Sequence, residues 1–286
     1  MSAGYTREFV EAGYNNRAAV PDHPRWFARW AEDSAAARAR HRPALDLRYG
    51  AGANETIDLF LPDAPARGTL LFLHGGWWRS LDKSDHSFVA PAFVDAGYAV
   101  AVANYALCPT VSIATIVGQA RKALAWLARE GAMHGANARR IVVAGHSAGG
   151  HLAAMLFATD WEALGIAVPP LVGGVSLSGL HDLRPITLYS ANEDLRLTDA
   201  DAAQLSTVLN PPRLQAPLLV AVGADETGEF IRQSRLLWDA WPAQRPPGAG
   251  EMLKIPGRNH YSVVSDYTER DSALTRATLA LFDAAH

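Results

Sequence analysis

The chain has 286 residues, of which 49% are hydrophobic, enough for one large domain with a continuous core. A formal net charge of −3 and a pI near 6.4 leave no basic stripe for a nucleic-acid backbone or an anionic membrane, so a small molecule is the expected partner. Cys108 is the single cysteine, which excludes an internal disulfide and gives no sign of an oxidising compartment.

The opening segment MSAGYTREFVEAGYNN carries acids and lacks the unbroken apolar stretch of a secretion signal. No later run is long enough to span a bilayer, and a cytoplasmic address is the expectation. Residues 1–43, with Trp26, Phe27 and Trp30 near helical spacing before SAAARARHR, read as a helical arm that packs aromatics onto the main body. LDLRY (45–49) and TIDLFLP (56–62) alternate in character and suit edge strands with one wet face. TLLFL (69–73), YAVAVANY (98–105), RIVVAG (140–145), LVGGVSLSG (171–179) and PLLVAVG (217–223) are nearly continuous apolar runs, as strands covered on both faces of a parallel sheet require. The helical patterns IVGQARKALAWLARE (116–130), GHLAAMLFATDW (150–161) and EFIRQSRLLWDAW (229–241) alternate with them, and EMLKIP followed by SALTRATLALFDAA closes the chain. This βαβ rhythm predicts an α/β fold with a mostly parallel central sheet flanked by helices. Residues 180–216 are too long and polar for a tight connection and predict a small helical cap over the site. With no repeat or linker to divide it, residues 1–286 read as a single domain.

Gly145, His146, Ser147, Ala148 and Gly149 form a GxSxG pattern where an apolar strand turns into a helix. The pattern alone is common, but a nucleophile elbow needs this context: glycines on both sides of a crowded turn and a serine lifted above the sheet at a helix start. Upstream, His74-Gly75-Gly76-Trp77-Trp78 follows the strand TLLFL directly and suits an oxyanion loop. Its backbone N–H groups, those of Gly76 and Trp77 first, would join that of Ala148 in stabilising charge on a former carbonyl oxygen.

In an elbow-type site the acid and then the histidine follow the serine along the chain. Beyond the fifth apolar run only His260 and His286 remain; His286 is the last residue and is expected to fray, leaving His260, in PGRNHYSVV, as the base. The acid is Asp225 or Glu226, adjacent at the end of PLLVAVG. A carboxylate there would hold the far nitrogen of His260 and fix its tautomer.

With these residues located, the chain resembles the kynurenine formamidase-like branch of the hormone-sensitive-lipase group of α/β-hydrolases. The resemblance rests on HGGWWRSLDKSDHSF (74–88), NYALCP (104–109), GHSAGGHLAAML (145–156), SGLHDL (178–183), ETGEFIRQS (226–234), PGRNHYSVV (256–264) and YNNRAAVPDHP near the start. The branch usually carries its acid three residues after the strand-ending glycine and three before an EF pair. Here that position is Glu226, where the branch usually has aspartate, with Asp225 as the alternative.

The resemblance implies an α/β-hydrolase fold and a serine hydrolase that cleaves a small carboxylic ester through an acyl-enzyme. Hydrolysis of N-formylkynurenine or a related aryl formamide is the alternative, and a non-catalytic binding protein on the same fold is a third reading. Trp78, His146, Phe88 and His181 are the candidate substrate-binding residues, suited to a small apolar or aryl-bearing pocket. No arginine or lysine stands out as a carboxylate clamp, and Lys83 and His86 read as structural or solvated. His146 and His151 are five apart, off the same-face spacing of a helical metal site, and HExxH is absent, so neither metal nor cofactor is expected. A small-molecule ester or aryl formamide is thus the expected partner, with no nucleic acid or membrane, and a homodimer is left open.

Overall fold

A computed structural model describes residues 4–166 and 169–283; His286 lies outside the described residues. The strands are β1 (Ala44–Arg48), β2 (Thr56–Phe60), β3 (Thr69–Leu73), β4 (Ala99–Ala103), β5 (Ile141–His146), β6 (Leu171–Leu177), β7 (Leu218–Gly223) and β8 (Leu253–Ile255). They form one 8-stranded sheet in the order β1-β2-β4-β3-β5-β6-β7-β8. β2 runs antiparallel to β1 and β4, and every pairing from β4 onward is parallel.

Strict alternation along each strand splits the core in two. Leu71, Leu73, Ala101, Ile141 and Val143 face one cluster, while Leu70, Phe72, Val102, Val142 and Ala144 face the other. Both faces are dry, which is why these strands carry no polar alternation. TIDLFLP departs from its expected edge position: β2 is internal and buried along its whole length. Its apparent wet face is Asp58, only 1% exposed, whose carboxylate sits 2.7 Å from Lys83 Nζ and accepts from the Asp46 N–H at 3.0 Å. β1 is the exposed edge strand.

The helices are α1 (Arg7–Tyr14), α2 (Asn16–Ala19), α3 (His23–His41), α4 (Ala90–Val94), α5 (Ile113–Glu130), α6 (Ala148–Phe157), α7 (Asn192–Leu195), α8 (Asp199–Leu205), α9 (Gly228–Ala240) and α10 (Ala273–Asp283). α5, α6, α8 and α9 pack on the first cluster, and α3, α4 and α10 on the second. The N-terminal segment is three helices rather than one continuous arm. Thr6 caps α1 through the Phe9 N–H, Asn15 caps α2 through the Ala18 N–H, and Pro24 sits in the first turn of α3. α1 buries Val10 and Tyr14, and α3 anchors Trp30 through an Nε1–H bond to Ser265 Oγ at 3.1 Å. Residues 180–216 hold α7 and α8, the latter started by a capping box between Thr198 and Asp201. Among the described residues no helix is long and apolar enough to cross a membrane.

Candidate active site

β5 runs straight into Ser147, whose φ of 57° and ψ of −117° are strained for a residue with a Cβ, and α6 starts at the next residue. The flanking glycines are required by close approach. A Cβ on Gly145 would lie 2.0 Å from the Gly149 carbonyl oxygen, and one on Gly149 would lie 1.9 Å from that of Leu73. The Ser147 N–H, bonded to the Leu177 carbonyl at 2.8 Å, ties the turn to β6.

His260 comes from the loop after β8, and its Nε2 lies 3.1 Å from Ser147 Oγ. Its Nδ1 lies 2.6 Å from Glu226 Oε2. The other oxygen of Glu226 accepts from Ser178 Oγ at 2.5 Å and from the Gly223 N–H at 2.8 Å, so both ends of the carboxylate are held. Ser147, Glu226 and His260 are all buried, whereas Asp225 points to solvent. The structure therefore brings Glu226, and not Asp225, to His260. Losing the Ser178 hydroxyl should loosen this carboxylate. Ser178→Ala is expected to lower kcat about tenfold with little change in KM, as supporting hydrogen bonds around catalytic ligands commonly do; steady-state kinetics at saturating ester checks it.

The loop after β3 lies against the elbow. A Cβ on Gly75 would touch that of Ser147 at 3.2 Å, and one on Gly76, at φ +107°, would collide with the Ser80 carbonyl oxygen at 2.1 Å. Trp77 and Trp78 continue in the left-handed region at φ 54° and 53°. Among the described residues the N–H groups of Gly76, Trp77 and Ala148 donate no hydrogen bond, which leaves them free to meet a developing anion.

A buried network holds the loop from below. His74 Nδ1 donates to the Gly75 carbonyl at 2.8 Å, and its ring stacks on Tyr105 with centroids 4.2 Å apart. Its Nε2 lies 3.1 Å from Asn104 Oδ1, and Asn104 in turn donates to Asp82 at 2.6 Å. Lys83 is buried between Asp58 and Asp46, so it is structural rather than solvated.

A chamber of about 50 Å³ adjoins Ser147 and His260 and is walled in part by Phe27, Trp30, Leu81 and Tyr261. It shares Asn16, Arg17, Trp77, Ser80 and Tyr261 with a wider cavity of about 450 Å³. The cap reaches only this outer cavity, through Tyr189, Ser190 and Asp194, while the N-terminal helices cover the serine.

Of the expected substrate-binding residues, His146 lines the chamber, its Nε2 bonded to the His260 carbonyl oxygen at 2.9 Å. Trp78, Phe88 and His181 do not line it. Trp78 turns into the core, its ring edge-on to His151 at 5.1 Å; Phe88 stacks on Trp30 at 5.9 Å; and the nitrogens of His181 meet Thr207 Oγ1 at 2.8 Å and Ser176 Oγ at 3.0 Å. All three are packing residues. The chamber-lining residues that sequence reasoning did not assign to the site are Asn16, Arg17, Phe27, Trp30 and Tyr261; the signal for the first two is their place in the YNNRAAVPDHP stretch that carries the resemblance. Asn16 is 5% exposed, and neither its Oδ1 nor its Nδ2 has a hydrogen-bond partner among the described residues, a cost of about 1–3 kcal/mol when left unmet.

Burial dominates the histidines behind the site. It pushes His86 down to about 3 and His151 to about 4, and holds His146 and His181 well below the ordinary imidazole range. An unfolded histidine takes up a proton near about pH 6.5. Stability from these neutral imidazoles is therefore complete above that pH and is lost as pH falls through it toward each depressed value. At pH 5 the loss from His86 and His151 together is about 4 kcal/mol, and His146 and His181 act in the same direction. The thermal midpoint is expected to stay level from pH 8 to 7 and fall steadily below 6.5; a midpoint unchanged at pH 5 contradicts this.

Among the described residues no cluster of three or more His, Cys, Asp or Glu is arranged to hold a metal ion. In comparisons with known proteins, the BD-FAE family model matches residues 57–164. Kynurenine formamidase of Salmo salar is 28% identical over 258 residues, covering 87% of this chain and 85% of that protein. A solved structure from Silicibacter sp. TM1040, named as a candidate thioesterase, shares 33% identity at a TM-score of 0.84, covering 94% of this chain and 98% of that one. Esterase B of Lactobacillus rhamnosis shares the fold at a TM-score of 0.69 and 20% identity, over 92% of this chain and 94% of its own.

Proposed function

The chain belongs to the kynurenine formamidase-like α/β-hydrolases, and on that premise we propose that it is a serine hydrolase releasing a small acyl group from an ester. The observation that carries this reading is the continuous path from Glu226 Oε2 through His260 to Ser147 Oγ, 2.6 Å and 3.1 Å, beside a small chamber. In this reading His260 Nε2 takes the Ser147 proton as Oγ attacks the acyl carbon. The oxyanion meets the N–H groups of Gly76, Trp77 and Ala148. Glu226 stabilises the imidazolium, which then protonates the departing alcohol, and water repeats the sequence in reverse to free the acid.

In this reading the acyl group enters the chamber of about 50 Å³ beside Ser147, and a short group such as formyl or acetyl is the expected fit. Each misfitting methylene in a tight pocket costs about 1–3 kcal/mol. On p-nitrophenyl esters kcat/KM is therefore expected to fall at least about tenfold from acetate to hexanoate; equal rates along the series would refute a small acyl site.

The second reading is hydrolysis of an aryl formamide. Formyl is the smallest acyl group, and the Salmo salar relative bears the name kynurenine formamidase. Rates on p-nitrophenyl acetate and N-formylkynurenine separate the two, and a strong preference for the formamide reverses their order.

A further inference from the structure

The Gly75 carbonyl and the Gly76 N–H belong to one peptide unit, so whatever holds that carbonyl also sets how strongly the N–H donates. His74 Nδ1 holds it at 2.8 Å. The other nitrogen of the ring, Nε2, lies 3.1 Å from Asn104 Oδ1. That amide has one orientation. Its Nδ2 donates to Asp82 Oδ2 at 2.6 Å and its Oδ1 accepts from the Lys83 N–H at 3.3 Å, so a reversed amide would set oxygen against carboxylate and N–H against N–H. Both nitrogens of His74 therefore face acceptors, whereas a neutral imidazole carries a single N–H. The ring is fully buried, and a proton removed from either nitrogen leaves a lone pair against an oxygen in a place closed to solvent. Burial alone draws His74 below the ordinary imidazole range; the hydrogen bonds to Gly75 and Asn104 and the carboxylates of Asp82 and Asp85 act against it. No second cation competes for Asp82 among the groups packed there: burial holds His86, stacked at 5.5 Å, down to about 3, and pushes the Tyr105 phenol, stacked at 4.2 Å, well up. Lys83 Nζ is taken by Asp46 at 2.9 Å and Asp58 at 2.7 Å.

We propose that His74 is a buried imidazolium, balanced through Asn104 by the Asp82 carboxylate, and that it acts through the Gly75–Gly76 peptide to sharpen the Gly76 N–H toward the oxyanion. A cation on a carbonyl oxygen draws electron density from the nitrogen of the same peptide, which a neutral donor does more weakly. The site thereby gains positive character where negative charge develops, with no charged side chain placed in the chamber itself. His74 lines neither the chamber nor the outer cavity, so it is a positioning residue. The inference rests on the serine hydrolase reading above and adds to it the charge state of the group behind the oxyanion loop.

The test counts protons on the ring. In protein labelled with ¹⁵N-histidine, long-range ¹H–¹⁵N spectra at neutral pH are expected to show both nitrogens of His74 protonated, the signals being assigned by their loss in His74→Asn. In Asp82→Asn the atom that accepts from the Ser84 N–H must remain an oxygen, which turns the new NH₂ toward Asn104 and reverses that amide. An N–H then faces His74 Nε2, and the ring should keep a single proton. In this variant kcat on p-nitrophenyl acetate should fall about tenfold with KM nearly unchanged. Affinity for a trifluoromethyl ketone, whose adduct with Ser147 bears the same oxyanion, should fall by a similar factor. His74→Asn, which offers the Gly75 carbonyl a neutral N–H, should show the same two losses and decides if Asp82→Asn does not fold. A bare His74 nitrogen in the wild-type spectrum, or variants that lose the charge yet keep wild-type kcat and ketone affinity, overturns the proposal. Turnover that persists in Ser147→Ala would instead overturn the hydrolase reading beneath it, whatever the proton count, so the two failures are distinct.

Discussion

Replacing Ser147 with alanine is expected to reduce kcat/KM on p-nitrophenyl acetate by about 10⁴-fold or more while the thermal midpoint stays within a few degrees of wild type. The loss is large because Oγ is the only hydroxyl within hydrogen-bond distance of His260 Nε2, at 3.1 Å, among the described residues. Without it the remaining groups can polarise a carbonyl but cannot form the acyl-enzyme. The fold should tolerate the change, since the strained φ of 57° is imposed by the backbone bond to β6 and by the glycine contacts, none of which involves Oγ. Intact-protein mass after exposure to a fluorophosphonate provides a second measurement: one adduct on wild type and none on Ser147→Ala. Activity within tenfold of wild type in the alanine variant would end the proposal.

The second large effect is expected at Glu226. In Glu226→Gln the atom that replaces Oε1 still faces two donors, Ser178 Oγ and the Gly223 N–H, so it must remain the amide oxygen. The NH₂ group is then forced toward His260 Nδ1, in place of the oxygen that lay 2.6 Å away. An N–H donor there requires an unprotonated Nδ1, which moves the ring proton to Nε2 and removes the base from Ser147. A tautomer reversal of this kind costs about 10⁴ in kcat, and the near-isosteric substitution should leave stability almost unchanged. Asp225→Asn, on the exposed neighbour, should stay within about twofold of wild type, as surface changes away from a site do. Kinetics that respond to Asp225 and ignore Glu226 would reassign the acid.

What the chain order and composition determined without tertiary information was whatever local rules enforce. Strands dry on both faces must be apolar throughout, so β3 through β7 were visible as runs. The elbow needs glycine at Gly145, whose Cβ would strike the Gly149 carbonyl one turn on, while Gly149 answers to the Leu73 carbonyl of β3, a contact only the fold creates. The histidine that meets Ser147 followed from chain order, since only His260 and the terminal His286 lie beyond the fifth run. Direction and long-range return were not legible. The residues alone left Asp225 and Glu226 open, because adjacent side chains in a turn diverge and only packing shows which one meets the imidazole. The polar Asp58 made β2 look half-wet because its partner, Lys83, lies in a distant loop. Trp78, Phe88 and His181 suited a pocket by type, yet the core claimed them. The helical spacing of Trp26, Phe27 and Trp30 marked an arm that packs on the body, but tertiary structure alone decided that α2 and α3 set Asn16, Arg17, Phe27 and Trp30 beside Ser147, because burial of Val10, Tyr14 and Trp30 drives the docking and periodicity does not say where on the body it occurs.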